Sequence, residues 1–343
     1  MRYAFLIFFV CSLGLNAFAQ QKQKKDSKGE TEAADKKKRE KLPPENIEFF
    51  PKNFLVKVRY SYPLMSINVS NRRDGKGSKF MYLPAMPGVV GLSLKIKKVY
   101  ISFGVQLPAS DALKKKYGYS KFRNIALNIR GRVVQWGMFY RDYKGFYLKN
   151  YQSYYPYWNK DSLGYPKTKG LRILETGLNF NFTFNKRFSL NAALSQGERQ
   201  KKSAGSFMLG FSERYQWLHA DTSFVPPGQG DFYPNLDKLK YGNFLTTIIS
   251  SGYGYQIVVK KFHCTPHVML GTGIQFQSYR QIGERHLRVN IPTYASGGLQ
   301  LGYNGDHFFF NTIYQSEFNT IPIKESRIRL FQNRFEIGVG MRF

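Results

Sequence analysis

From residue 53 to the carboxyl terminus, apolar residues recur at every second position in one run after another, and this rhythm constrains the fold more than any other feature of the chain. The last run is the cleanest. Phe335, Ile337, Val339, Met341 and Phe343 fall on one face, and Arg334, Glu336, Gly338, Gly340 and Arg342 on the other. The same alternation carries Val99, Ile101, Phe103 and Val105, then Leu178, Phe180, Phe182 and Phe184, then Val268, Leu270, Ile274 and Phe276. Successive side chains of a strand point to opposite sides, so these runs read as β-strands with one greasy and one polar face. The chain is therefore all-β.

Two-faced strands build either a soluble sandwich or a membrane barrel. The polar faces here carry Gly, Ser, Asn, Gln and charges, and the runs reach the 9 to 11 residues that cross a bilayer at a tilt. A barrel also leaves no strand edge unpaired in hydrocarbon, where each unsatisfied backbone group costs several kcal/mol. The expectation is a transmembrane antiparallel β-barrel. Candidate tight turns are Lys97 and Lys98, Gly131 and Arg132, Asn185 to Arg187, Lys260 and Lys261, and Asn304 to Asp306. Candidate long loops are 107 to 121, 143 to 169, 218 to 244 and 319 to 326.

Thirteen strand segments can be marked, which is the wrong parity for a barrel with both ends on one side. The alternation of short and long connections read from residue 87 collides with that read back from Phe343 between 185 and 217. One segment there is overcounted, or residues 63 to 70 with 79 to 84 add a strand. Twelve strands are favoured over fourteen.

The amino terminus sets the compartment. Arg2, the apolar run from Ala4 to Val10 continued by Leu13 and Leu15, and the small residues Ala17 and Ala19 read as a signal peptide over 1–19. Cleavage after Ala19 leaves Cys264 as the one thiol, so no internal disulfide is expected. Residues 20 to 48 read as a charged, flexible periplasmic tether, and 49–343 as the barrel. The net charge of +30 loses one for Arg2 and four for residues 20 to 43, where nine Lys or Arg face five Asp or Glu, so about +25 stays with the folded part. Export turns that charge away from nucleic acid and toward anionic head groups or a basic lumen. A mean hydropathy of -0.42 excludes a bundle of membrane helices, and 17% aromatic residues exclude a disordered chain.

The terminal strand ending on Phe343 resembles the sorting signal of bacterial outer-membrane barrels, which implies recognition by the barrel-assembly machinery. Residues 49 to 343 resemble a domain-of-unknown-function family of outer-membrane β-barrels from Bacteroidota. That resemblance rests on Pro51, Asn53 and Phe54, on Tyr140, Arg141, Tyr143, Lys144, Gly145, Phe146 and Tyr147, and on the run from Glu198 to Ser206. It implies an outer-membrane location with both termini in the periplasm, and it brings no catalytic residue.

Residues able to carry chemistry are few. His263 and His267 lie four apart beside Cys264, about 13 Å along a strand, too far for one metal, and no third ligand is evident. His219 near Asp221 lacks a serine in any nucleophile motif, and there is no phosphate-cradling loop. No catalytic, cofactor-binding or metal residue is assigned. The aromatics of 140 to 165 read as an interfacial girdle plus a rigid extracellular loop, with stacking on sugars or nucleobases as the sharper alternative. Lys57, Arg59, Lys95, Arg130, Arg334 and Arg342 fall on polar faces, where they line a lumen, and Glu175 and Glu336 are placed to pair with neighbouring Arg. Loop cations such as Lys114, Lys115, Lys116, Lys201 and Lys202 suit outer-membrane lipids, including lipopolysaccharide. The expected protein is not an enzyme. It is a narrow basic pore for small anionic solutes or a structural subunit of an envelope complex, with a lipid-modifying barrel enzyme as the alternative.

Overall fold

The computed structural model describes residues 46–343, apart from 51–53, 72–78, 132, 222–223, 227, 232, 234–235, 237–238, 282–283 and 325, and these belong to one compact unit, Glu45–Phe343. The expected signal peptide and nearly all of the expected tether lie outside the described residues.

Sixteen strands are present among the described residues. In chain order they are β1 (Ile47–Phe49), β2 (Leu55–Asn71), β3 (Phe80–Leu83), β4 (Val89–Ile96), β5 (Val99–Gln106), β6 (Lys121–Arg130), β7 (Val134–Leu148) and β8 (Lys167–Thr183). They continue with β9 (Glu198–Gln200), β10 (Ala204–His219), β11 (Tyr241–Val259), β12 (Phe262–Gln281), β13 (Glu284–Asn290), β14 (Thr293–Asn304), β15 (Phe308–Ile323) and β16 (Ser326–Arg342). Fourteen of them share one sheet, of which β3 and β13 are appendages, and fourteen minus two leaves a ring of twelve. The ring closes where β16 pairs with β2, from Ser326 opposite Asn71 to Arg342 opposite Leu55, and every pairing is antiparallel. Closure satisfies both edges of every wall strand, which is what permits the sheet to stand in hydrocarbon.

Side-chain alternation then sorts the two surfaces. Val58, Ile125, Ile249, Leu270, Phe276 and Val339 are exposed on the outside, whereas Lys57, Arg59, Gln135, Glu175, Arg214, Gln275 and Glu336 are buried inside. At the end where Phe343 lies, the outer face carries an aromatic belt in which Phe54 meets Phe343, Phe182 meets Phe184, Phe207 meets Tyr253, and Phe262 meets Tyr303.

Connections at that end are mostly tight, as at Lys97 and Lys98 and at Lys260 and Lys261, where Lys97 and Lys260 adopt left-handed φ of 56° and 57°. The opposite end carries the long loops, with α1 (Asp111–Tyr117) between β5 and β6 and α2 (Lys160–Leu163) between β7 and β8. The expected long loop at 319–326 is instead strand and a tight turn, because β15 pairs with β16 out to Ile323 and Ser326. Residues 63 to 70 continue β2 and add no wall strand. Pro63 pairs with Arg334 in mid-strand. Beyond Ser61 the partner of β2 changes from β4 to β3, which also touches β7 and extends the wall above the short strands β4 to β6.

The parity problem resolves at residues 187–196. That stretch is not a strand: it enters the mouth of the barrel as α3 (Leu190–Ser195), followed by β9, which pairs with β1. The turn expected at Asn185 to Arg187 is the entrance to this insertion. Removing one segment from thirteen leaves the twelve of the ring.

Candidate functional site

The interior has three tiers. At the loop end the inner face turns apolar, with Met65, Ile67 and Val69 on β2, Leu171 and Ile173 on β8, and Ile328 and Leu330 on β16. The loops fold onto this face. Phe80 packs edge-on against Tyr82, Tyr154, Phe224 and Tyr233, with ring centroids 5.0 to 6.2 Å apart. The Tyr-rich stretch 140 to 165 therefore does not act mainly as an outer girdle. Tyr143, Phe146, Tyr151 and Tyr154 are buried in this internal core, while Tyr117, Tyr147 and Tyr165 form a stack at its edge, joined to it where Tyr165 meets Tyr151 and approached by Lys116 and Lys160.

At the turn end the filling is mainly polar, around a small apolar cluster in which Phe188 and Leu190 meet Met208 and Met269. Ser189 caps α3, its Oγ accepting from the Ala192 N–H at 2.9 Å and donating to Glu198 Oε2 at 2.6 Å. Gln196, fully buried, ends the helix in the left-handed region at φ 57°. The wall grips the insertion through hydrogen bonds. Arg342 donates to the Gln196 carbonyl from Nε at 3.1 Å and from Nη2 at 2.5 Å, Lys95 Nζ donates to the Gly197 carbonyl at 3.0 Å, and Tyr100 Oη to Asn191 Oδ1 at 2.9 Å. A Cβ on Gly197 would lie 1.7 Å from Tyr100 Oη, so the fit admits no side chain there without movement. Outside the mouth, Arg199 pairs with Glu48 at 2.5 Å and with Asp306 at 2.6 Å, and Lys261 reaches Asp306 at 2.7 Å. These two donors hold the Asp306 carboxyl down to about 2, the hydrogen bond from Lys261 first and that from Arg199 next. Lys95 and Arg342, expected as lumen lining, are thus the clamps of the insertion.

Between the two fillings lies a chamber of about 320 Å³. Lys57, Arg59, Arg130, Arg141, Arg214 and Arg334 line it, against Glu317 and Glu336, a balance of six minus two. The carboxylates are shared. Glu336 takes Lys57 at 2.8 Å, Arg59 at 3.3 Å and Arg334 at 3.6 Å. Glu175, buried behind the lining, takes Arg141 at 3.2 Å and Arg214 at 3.5 Å, and accepts from Gln332 at 2.7 Å and Gln216 at 3.1 Å. Glu317 pairs with Arg141 at 3.5 Å and with Arg214. Even with Glu175 counted, three cations remain in excess. Buried cations need partners, and Arg59 Nε with Arg130 Nε and Nη1 have no hydrogen-bond acceptor among the described residues.

Four of the six expected lumen cations line the chamber, and the expected pairing of Glu175 and Glu336 with Arg is present. Arg214 and Glu317 were not legible. Each lies on the inner face of its strand, but only the register of non-neighbouring walls brings them together across the barrel.

His263 and His267 both face inward and do not converge on a third ligand: no group of three metal-ligating side chains occurs among the described residues. His263 touches Gln196 of the insertion at 3.3 Å, and His267 borders the chamber. His219 meets Asp221 at 3.1 Å on the rim, stacked against Trp217. Among the described residues no serine, threonine or cysteine side chain is hydrogen-bonded to either.

A closed twelve-stranded ring with a greasy exterior and a polar, charged interior defines a transmembrane β-barrel of the outer-membrane type. Residues 45–343 match the family described as a domain of unknown function, DUF4421, and the chain belongs to it. No curated protein matches the sequence. Among solved structures, the chain is similar to the outer membrane protease OmpT from Escherichia coli at 7% identity and a TM-score of 0.39, covering 86% of this chain and 98% of that one. It is similar to an outer membrane channel from Pseudomonas putida F1 at 10% identity and 0.39, covering 86% and 97%. It is also similar to the translocator domain of autotransporter NalP from Neisseria meningitidis at 11% identity and 0.37, covering 98% of each. At these identities and scores the likeness carries over neither an activity nor a site.

Proposed function

We propose that this barrel is a narrow conduit for small anions across the outer membrane, held shut by its own insertion at the turn end and by its folded loops at the other. The observation that carries the reading is the excess of cations around the chamber. Rings of Arg and Lys select anions because a low-dielectric wall concentrates their field on the path. A volume near 320 Å³ sits at the low end of small-molecule cavities and restricts the solute to a few heavy atoms with its water. In this reading the signal peptide is removed after Ala19, the barrel-assembly machinery takes up the strand ending at Phe343, and both termini lie in the periplasm.

The test is conductance in planar bilayers of the full mature chain and of a variant in which residues 188–200 and the loop-end residues 221–239 are each replaced by a Gly-Ser linker of equal length. Rare openings in the first and sustained small steps in the second are expected. A folded variant that stays silent would favour a structural subunit of an envelope complex, a role that the packed loop end also suits. The lipid-modifying enzyme has less support, because the rim pair His219 and Asp221 has no hydrogen-bonded nucleophile among the described residues.

A further inference from the structure

Reading the register across the outer face at the loop end brings together residues that lie far apart in the chain. Lys121 of β6 pairs with Lys144 of β7, and Lys144 pairs with Arg172 of β8. Arg172 stands opposite His219 of β10, which stands opposite Tyr241 of β11. The row ends with Arg280 of β12 and Arg285 of β13. Five of these seven positions are Lys or Arg. They share the outward parity of the greasy wall positions, and Lys121, Lys144, Arg280 and Arg285 are exposed.

Like charges directly opposite on neighbouring strands are destabilising, so Lys121 beside Lys144 is costly unless something anionic lies over the pair. The row's own acids do not offset it. Asp142 is taken by Arg172 at 2.7 and 2.9 Å, Asp221 by His219, and no carboxylate pairs with Lys121, Lys144 or Arg280 among the described residues. Arg172 lies 5.4 Å from the Trp217 ring and Arg280 5.6 Å from that of Tyr241, which holds both heads on the outer wall.

Its height is set by the same registers. Four residues closer to the middle of each strand, roughly 13 Å along it, the row becomes Ile125, Tyr140, Thr176, Tyr215, Leu245, Phe276 and Val289, the start of the greasy belt. The cations therefore stand where head groups begin. About six strand spacings, roughly 29 Å, separate its ends, so the row is wider than one phosphate needs and suits a head group with more than one.

We infer that this row is a docking shelf for a membrane lipid whose head group carries phosphate monoesters, bound to the outer wall and independent of what the chamber conducts. Phosphate oxygens over Lys and Arg form charge-assisted hydrogen bonds, and the acyl chains would lie along the greasy belt directly below.

The full mature chain in phosphatidylcholine nanodiscs containing either bis-phosphorylated lipid A or the same lipid stripped of phosphate tests this. Native mass spectrometry of the detergent-released protein should show lipid A retained and the stripped lipid lost. K121Q/K144Q/R280Q/R285Q should reduce retention about a hundredfold, whereas K97Q/K98Q/K260Q at the turn end should leave it unchanged. Folding of each variant is read from the faster electrophoretic migration of the unheated barrel. In W136F/W158F, which leaves Trp217 as the reporter, lipid A but not the stripped lipid should shift the emission. Equal retention of the two lipids, or of lipid A by wild type and the fourfold variant, would overturn the inference.

Discussion

The two ends of the barrel are both filled by their own chain, but with opposite chemistry. The loop end is closed by rings and aliphatic side chains such as Phe80, Phe224, Tyr233 and Leu330, all at or near zero exposure. The turn end is closed by one short insertion, held mainly by hydrogen bonds from Arg342, Lys95 and Tyr100 to its backbone and amide oxygens and in part by a small apolar cluster of Phe188 and Leu190 with Met208 and Met269. Apolar packing of the first kind is lost only by opening the core, whereas hydrogen bonds of the second kind can exchange for water at about 1.5–3 kcal/mol for each charged donor. The difference makes the turn end the weaker of the two closures.

That contrast can be broken most forcefully at the loop end. Phe80→Ala should destabilise the barrel by about 3–5 kcal/mol, the range for an aromatic ring removed from a filled core, measured by denaturant unfolding in lipid vesicles. A loss below about 1 kcal/mol would mean the loop-end filling is not a core.

A smaller and local effect is expected at the turn end. Arg342→Gln removes charged donors to the Gln196 carbonyl, each such bond contributing about 1.5–3 kcal/mol. Hydrogen exchange at residues 189–200 should accelerate while β10 and β11 keep their protection. Acceleration throughout the wall would show that the insertion and the barrel open as one unit.

The smallest effect is a pH response confined to the same end. The Asp306 carboxyl sits near 2 when folded, below its ordinary value, so its pairing stabilises the closed mouth above about pH 4 and is lost as pH falls through 2. Exchange protection of β9 should weaken over that window in wild type and be flat in Asp306→Asn. Among the described residues the loop-end core holds no such pair, and it should not respond.

Much of the barrel was legible because alternation is a local signal. The rhythm of β5, β12 and β16 needs only neighbouring residues, and the turns at Lys97 and Lys260 lie where the apolar period breaks. The insertion was not legible for the same reason. Phe188, Leu190, Ala192 and Leu194 also alternate, and four such residues suit a strand as well as one turn of helix followed by a chain reversal. The parity conflict was the one sign that this segment left the wall. The tyrosines of 140–165 misled because the same ring suits a membrane interface and a wet core, and only the inward fold of the loops decides between them. Within the chamber, cations on polar faces could be read from strand parity, but the meeting of Arg214 with Glu317 depends on which walls face each other.

The central claim is that the chamber selects anions once both closures are out of the way. The reversal potential of the linker variant under a tenfold potassium chloride gradient tests it most directly. The account predicts a potential of the sign set by chloride, moving toward zero in R59Q/R130Q/R334Q. A potential of the potassium sign, or one unmoved by those three substitutions, would contradict it.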